Sequence, residues 1–343
     1  MTAALTDLVE GRDLSSEVMT AVMQHIMSGE ATPAQIAGFM VALRMKGETV
    51  EEITAAARVM RSLAVGVSLD VPNLVDIVGT GGDGSQLFNV STASSFVVAA
   101  AGGHVAKHGN RSITSRSGSA DVLEAAGVQL GVSPECVARC VHELGVGFMF
   151  APKHHGSMRH AAAPRKELGL RTLFNVLGPL TNPAGAPNMV LGVYDKRWLR
   201  TLAQVMRELG ANHVLVVHSD DGLDEISLAA PTHVAELRDG QISEYSVTPE
   251  ALGLVRQSLE SLKVEGPEDS LALIREAFSG KPGPAADMIA LNAGAAIYAA
   301  DLVTSLSEGV EKAQGILASG QAADKLRALA AMTQECAQQR QAA

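Results

Sequence analysis

Two stretches rich in glycine and hydroxyl side chains lie close together in the chain. The first is Asp76-Ile-Val-Gly-Thr-Gly-Gly-Asp-Gly-Ser-Gln-Leu-Phe-Asn-Val-Ser-Thr92. The second is His104-Val-Ala-Lys-His-Gly-Asn-Arg-Ser-Ile-Thr-Ser-Arg-Ser-Gly-Ser-Ala-Asp121. Glycine lets backbone N–H groups close on an anion, and a following helix N-terminus adds partial positive charge. Ser, Thr, Asn, Lys and Arg add side-chain donors. Two such loops after neighbouring strands would cradle more than one phosphate. No Lys follows the glycines of the first loop, so it is not a P-loop. Gly79, Gly81 and Gly84 fit the dinucleotide spacing, but Asn89 to Thr92 precede the helix expected over Ala93–Ala101. The plain alternative for these glycines is a tight turn.

Asp220-Asp-Gly-Leu-Asp-Glu225 follows an apolar run, His213–His218. Carboxylates of this kind suit Mg²⁺, which takes one or two of them and completes its shell with phosphate oxygens and water. A solvated acidic turn is the alternative. Many phosphoribosyltransferases place two acids and then Thr-Gly after such a strand. The Thr-Gly is missing here, so a phosphoribosyl donor would be held in another manner. Further along, residues 151–187 hold His154, His155 and a basic cluster over Arg159–Arg171. Such an excursion after a strand's carboxyl end is where α/β proteins place substrate contacts.

Composition narrows the class. The 343 residues carry a net charge of −10, which argues against non-specific nucleic-acid binding. Hydrophobic residues make up 47% and aromatics 3%, so the core is aliphatic. Asp7, Glu10 and Asp13 interrupt any N-terminal apolar segment, and no run is long and apolar enough to span a membrane. Cys136, Cys140 and Cys336 show no framework spacing; Cys136 and Cys140, at i,i+4, read as small buried apolar residues. The cytoplasm is the expected compartment.

The elements that must position these residues show a change of rhythm. Residues 1–70 read as three short helices. Leu14, Val18, Val22 and Ile26 form a stripe ended by Gly29; Thr32-Pro33-x-Gln35 and Thr49-x-x-Glu52 are capping boxes opening the next two. They bury little alone and must pack on the main domain, a partner subunit, or both. From Asn73 strands alternate with helices: Leu74–Val78, His104–Lys107, Gly147–Phe150, Met189–Tyr194 and His213–His218 as strands, with Ala93–Ala101, Ala120–Ala126, Pro134–Leu144 and Arg197–Leu209 between them as helices. This predicts an α/β fold: a small N-terminal helical domain (1–70 with part of 165–187) and a large α/β domain (71–343) with a mostly parallel central sheet. Thr232–Leu237 and Gln241–Val247 read as an antiparallel hairpin, and the tail from Pro267 as helical with a break at Gly280–Gly283.

Gly79-Thr-Gly-Gly-Asp83, Phe88-Asn-Val-Ser-Thr92, Lys107-His-Gly-Asn-Arg111, Ser117-Gly-Ser-Ala-Asp121, Asn175-Val-Leu-Gly-Pro-Leu-Thr-Asn-Pro183 and Asp224-Glu225 resemble the motifs of the anthranilate phosphoribosyltransferases, in the family's order and over most of the chain. These enzymes act in tryptophan biosynthesis. Leu87 departs from the pattern, where many members have Thr. The resemblance implies a donor site for 5-phosphoribosyl-1-pyrophosphate (PRPP) built from Gly79, Gly82, Asp83, Leu87, Asn89, Val90, Ser91 and Thr92 in the first loop. Lys107, His108, Gly109, Asn110, Arg111, Ser112, Ser115 and Ser119 would complete it from the second. It implies Ser91, Asp224 and Glu225 around Mg²⁺, and Gly79, His108, Asn110 and Arg165 around anthranilate. Asp83, Lys107, Asn110 and Arg165 would serve the reaction itself. It also implies a homodimer joined through the helical domains.

The chemistry agrees with this. Arg165 offers a charge-assisted, planar partner for the anthranilate carboxylate. The aryl amine is neutral at pH 7, so positioning and electrostatics suffice without a strong base. Asp83, an acid inside a phosphate loop, either shapes the loop or stabilises positive charge near the ribose. Two other readings compete. Pyrimidine nucleoside phosphorylases share the two-part architecture, and a non-enzymatic nucleic-acid-binding relative would be basic.

Overall fold

The computed structural model describes residues 1–112 and 115–342; Ile113 and Thr114 of the second loop lie outside the described residues. The chain opens with α1 (Thr2–Val9), α2 (Ser16–Met27), α3 (Pro33–Lys46) and α4 (Val50–Ser62). Both capping boxes form: Thr32 accepts from Gln35 N and Thr49 from Glu52 N, with the Gln35 and Glu52 side chains accepting in return. Each such cap stabilises its helix by about 1 kcal/mol. Glu52 is buried and also takes Lys46 Nζ at 3.0 Å and Leu14 N at 2.9 Å, fixing α4 against α3 and the α2 entry. Two expectations change. A further helix, α1, precedes the predicted three. The buried stripe of α2 is Met19, Val22, Met23 and Ile26, while Val18 is 40% exposed.

The second part runs β1 (Leu74–Gly79), α5 (Val90–Ala100), β2 (His104–Gly109), α6 (Ser119–Ala125), α7 (Pro134–Leu144), β3 (Val146–Phe150), α8 (Ala151–His154), α9 (Arg159–Leu168), α10 (Leu173–Leu177), β4 (Asn188–Gly192), α11 (Trp198–Glu208), β5 (His213–Ser219), β6 (Thr232–Arg238) and β7 (Gln241–Val247). Four helices close the chain: α12 (Pro267–Phe278), α13 (Pro284–Ala299), α14 (Leu306–Ser319) and α15 (Gln321–Ala342). The sheet order is β3-β2-β1-β4-β5-β6-β7; β1 to β5 pair in parallel, and β6 and β7 form the antiparallel edge. Helix α5 begins at Val90, earlier than expected, so Ser91 and Thr92 belong to its first turn.

Period-two alternation splits the sheet between two cores. Val190, Leu215 and Val217 face α5 and the C-terminal helices; Met189, Leu191, Val214 and Val216 face α11 and the N-terminal helices. Helix α9 packs on α2 and α3, and α10 on α3 and α4, so the helical layer takes in the excursion from Arg159 as well as residues beyond 165. Cys136 of α7 and Cys336 of α15 are joined as a disulfide, with Cα atoms 6.4 Å apart, and Cys140 alone is a free buried thiol. Cys136 and Cys140 are buried as expected, but the pairing of Cys136 was not anticipated, because a partner 200 residues away leaves no local spacing to read. Among the described residues, no helix is long and apolar enough to cross a membrane.

Candidate active site

Strand β1 lies between β2 and β4, so the chain leaves its carboxyl end in one direction toward β2 and β3 and later returns on the other side. Ligands of open α/β sheets sit at this switch point. Here β1 and β4 end on two glycines in register, Gly79 and Gly192. The acidic segment after β5 crosses directly over them. A Cβ on Gly192 would stand 1.6 Å from the Asp224 carbonyl oxygen, and one on Gly79 2.4 Å from Asp224 Oδ2. Asp224 Oδ2 accepts from Gly81 N at 2.7 Å, which anchors the first loop to the acidic segment. Gly81, Gly82 and Gly84 have φ of +66°, +75° and +77°, a backbone that side-chain-bearing residues rarely adopt. Asp83 Oδ1 accepts from Ser85 N at 3.2 Å, and its carboxylate also lies beside Asp224.

The loop feeds α5. Its cap residue, Asn89, makes no side-chain cap bond to the helix. Asn89 Oδ1 instead accepts from Ser117 Oγ at 2.6 Å and Ser270 Oγ at 2.8 Å, and Asn89 Nδ2 donates to the Ser117 carbonyl at 3.1 Å. Asn89 therefore does not cap the first turn of α5, and a helix N-terminus left open by its cap residue is an arrangement that receives anions. Val90 is buried; Thr92 Oγ1 is buried with no partner among the described residues. Leu87 bridges to Lys263, clear of this turn. Lys107, on β2, reaches under the loop: its Nζ donates to the Ile77 carbonyl at 2.5 Å and Ser91 Oγ at 3.2 Å. Burial lowers its pKa, against the raising effect of Asp76, Glu225 and Asp224.

The second loop is held largely by its own bonds. His108 N donates to Asp76 Oδ1 at 3.2 Å, and Asn182 Nδ2 donates to Asp76 Oδ2 at 2.7 Å. Burial pushes the Asp76 carboxyl up to about 6. The Asn110 Oδ1 accepts from Arg111 N at 2.8 Å. The Arg111 guanidinium pairs with Asp121 at 3.0 Å and Glu124 at 2.8 Å, so it braces α6. Ser112 Oγ bonds Ser115 Oγ at 2.8 Å, and Ser112 N donates to Asp121 Oδ2 at 3.0 Å. A Cβ on Gly109 would come within 3.1 Å of Ser119 Cβ, so the loop turns tightly into α6.

At the excursion after β3, the buried rings of His108 and His155 stand 5.0 Å apart, and among the described residues each has one nitrogen without a partner. Burial, followed by His155 and His154, pushes His108 down to about 3, so it is neutral. His154 is committed elsewhere: its Nδ1 bonds the Val65 carbonyl at 2.6 Å. Arg165 lies 5.6 Å over the Phe174 ring and, among the described residues, makes no ion pair; burial lowers its pKa. A half-buried guanidinium without a counter-ion is suited to a substrate carboxylate. One residue escaped the sequence reading: Arg171 stacks 4.2 Å over Tyr194 and donates to the Gly82 carbonyl. Its only sequence signal was membership of the basic cluster.

The acids divide in two. Asp220 pairs with His233 at 2.6 Å, and Asp221 accepts from Ser227 Oγ at 2.6 Å, so both serve the turn. Asp224 and Glu225 face the loops. Burial and neighbouring negative charge, Asp83 for the first and Asp224 for the second, hold both carboxyls above their usual range. The Ser91 backbone N–H lies against Glu225. Among the described residues, no group of three or more His, Cys, Asp or Glu is arranged to hold a metal alone. The pair, short of positive charge and beside a phosphate-type loop, fits an ion that takes its other ligands from phosphate and water, as Mg²⁺ does.

The chain matches the α/β domain of the glycosyl transferase family over residues 71–323 and that family's helical bundle domain over residues 2–64. It is 60% identical over 336 residues to an anthranilate phosphoribosyltransferase of Thioalkalivibrio sulfidiphilus, covering 98% of this chain and 99% of the relative. The crystal structure of the Thermus thermophilus anthranilate phosphoribosyltransferase superimposes with a TM-score of 0.92 at 48% identity, covering 96% of this chain and 99% of that one. The Saccharomyces cerevisiae enzyme in complex with PRPP and Mg superimposes with a TM-score of 0.89 at 28% identity, covering 97% and 98%. With paired glycines under an acidic segment, beside a glycine-rich loop that leads into a helix N-terminus, the chain belongs to the anthranilate phosphoribosyltransferases of the glycosyl transferase family.

Proposed function

We infer that the chain transfers the 5-phosphoribosyl group of PRPP to the amine of anthranilate, giving N-(5-phosphoribosyl)anthranilate and pyrophosphate, the step this family supplies to tryptophan biosynthesis. The observation that carries the reading is the junction of Gly79, Gly192 and Asp224: it places an anion-binding loop and a pair of carboxylates at one point of the sheet. Ser91, Asp224 and Glu225 would hold Mg²⁺, which would supply positive charge against the departing pyrophosphate. Gly79 to Gly84 and the first turn of α5 take the donor's phosphates through backbone N–H groups. Lys107 adds a cation beneath that turn and balances the acids. Asp83 keeps the loop's shape through Ser85 and sets negative charge beside the reacting ribose. Arg165 takes the anthranilate carboxylate, neutral His108 packs beside the acceptor, and Asn110 orients the amine. Asn89, Arg111, Ser112 and Ser115 make supporting bonds within the loops and serve their architecture as well as donor contact.

The working form is a homodimer joined through the helical layer, where Val9 and Met45 are 77% and 82% exposed. The compartment is the cytoplasm. The deciding experiment follows anthranilate fluorescence with PRPP and Mg²⁺. Consumption that needs all three components is the expected result. Absence of turnover, or phosphorolysis of a pyrimidine nucleoside in its place, overturns the reading.

A further inference from the structure

Arg171 lies in the short link between α9, which carries Arg165, and α10. Its side chain leaves that link and crosses to the other substrate's loop. The guanidinium lies over Tyr194, 4.2 Å from the ring centroid, and donates to the carbonyl of Gly82. The platform is itself fixed. Tyr194 N donates to Thr80 Oγ1 at 3.1 Å, and Trp198 Nε1 donates to the Tyr194 hydroxyl at 3.2 Å. The glycine run is thus tied at two adjacent residues, Gly81 by Asp224 and Gly82 by Arg171. The first tie comes from the metal-binding segment and the second from the acceptor side. Gly82 sits at φ +75° and has no side chain to restrain it, so an external tie is what limits its freedom.

We propose that Arg171 is a positioning residue that latches the donor loop to the acceptor-binding arm, so that the loop is held in its phosphate-binding shape and the two substrate sites move together. The role needs two properties at once, a planar face for Tyr194 and a directed N–H for Gly82. Lysine supplies a charge without either. The proposal rests on the transferase reading, and it deepens that reading by adding the link between its two sites.

The test is calorimetric titration of the full-length protein with PRPP and Mg²⁺, followed by steady-state kinetics. Arg171 is exposed, so Arg171→Met should fold like the parent. Loss of one charge-assisted hydrogen bond predicts donor binding weaker by about tenfold, with kcat at saturation within about twofold. The anthranilate KM should rise as well, although Arg165 is intact. Arg171→Lys should resemble Arg171→Met, and Tyr194→Leu should move the same parameters in the same direction. Unchanged donor affinity in Arg171→Met overturns the proposal. So does full affinity in Arg171→Lys, which would make the residue a point charge on the donor itself. Donor binding by a parent that fails to consume anthranilate would sink the transferase reading while the comparison at Arg171 still reads out.

Discussion

Gly79 and Gly192 are register partners at the ends of adjacent parallel strands, and the Asp224 segment occupies the space both their side chains would need. The two glycines differ in what they would strike. Gly192 faces a backbone carbonyl, which has no rotamer to escape into; Gly79 faces a carboxylate, which has. Gly192→Ala should therefore lower both thermal stability, by about 1–3 kcal/mol, and Mg²⁺-dependent turnover. Gly79→Ala should keep more of the stability and lose turnover. Thermal melts alongside Mg²⁺ titrations of both variants check this, and equal melting losses would refute it.

The acidic pair is tested by removing charge and keeping shape. Asp224→Asn with Glu225→Gln should need far more Mg²⁺ for half-maximal turnover and fold normally. The same changes at Asp220 and Asp221, which are bonded to His233 and Ser227, should leave the Mg²⁺ dependence unmoved. A parental Mg²⁺ titration in the first variant removes both residues from the metal site.

Arg165 carries the acceptor assignment. Arg165→Ala should raise the anthranilate KM by about 10–100-fold and leave the donor KM nearly unchanged. Arg165→Lys should recover little, since it lacks the planar fork and the stack on Phe174. An unchanged anthranilate KM in steady-state kinetics ends the assignment.

The buried His108 ring should cost stability as pH drops below neutrality. His108 titrates near 6.5 when unfolded and near 3 in the fold. Between these values the unfolded chain binds a proton the native chain refuses, so this contribution is complete above pH 6.5 and is lost on acidification. One such proton gives a slope of at most about 1.4 kcal/mol per pH unit. His155, also lowered by burial, acts in the same direction. Asp76 opposes them: raised from 3.8 to about 6, it contributes fully below 3.8 and loses that contribution as pH rises through 6, and the raised carboxyls of Asp224 and Glu225 act with it. Urea unfolding between pH 5 and 7.5 should show His108→Gln becoming more stable relative to the parent as pH falls, and parallel profiles would count against the buried neutral ring.

Assembly is tested at the helical layer. Met45→Glu places a charge on an exposed apolar position of α3 and should shift the dimer toward monomer in sedimentation velocity. A parent already monomeric at micromolar concentration contradicts the dimer.

Much of this architecture was legible because it obeys local rules. Apolar runs bounded by glycine marked β1 to β5, and Thr32 and Thr49 announced their helices through capping boxes. What stayed hidden depends on distant partners. Gly192 is one glycine among 33 until the Asp224 segment lies across it. Asp220 and Asp224 have the same chemistry in sequence and separate only through His233 and Gly81. The start of α5 was misplaced because Asn89 directs its amide to Ser117 and Ser270 instead of capping the helix. Arg171 was one cation in a basic cluster until Tyr194 gave it a platform.

Asn89 also bears on how such a site can be rebuilt. Its single amide joins three stretches of chain: the first loop, the second loop at Ser117, and α12 at Ser270. A protein engineer who transplants the first loop into another scaffold carries only one leg of a tripod. Without hydroxyls presented from the other two directions, the transplanted asparagine is free to turn back and cap α5. It would then occupy the turn reserved for phosphate. The transferable module is therefore the three segments together.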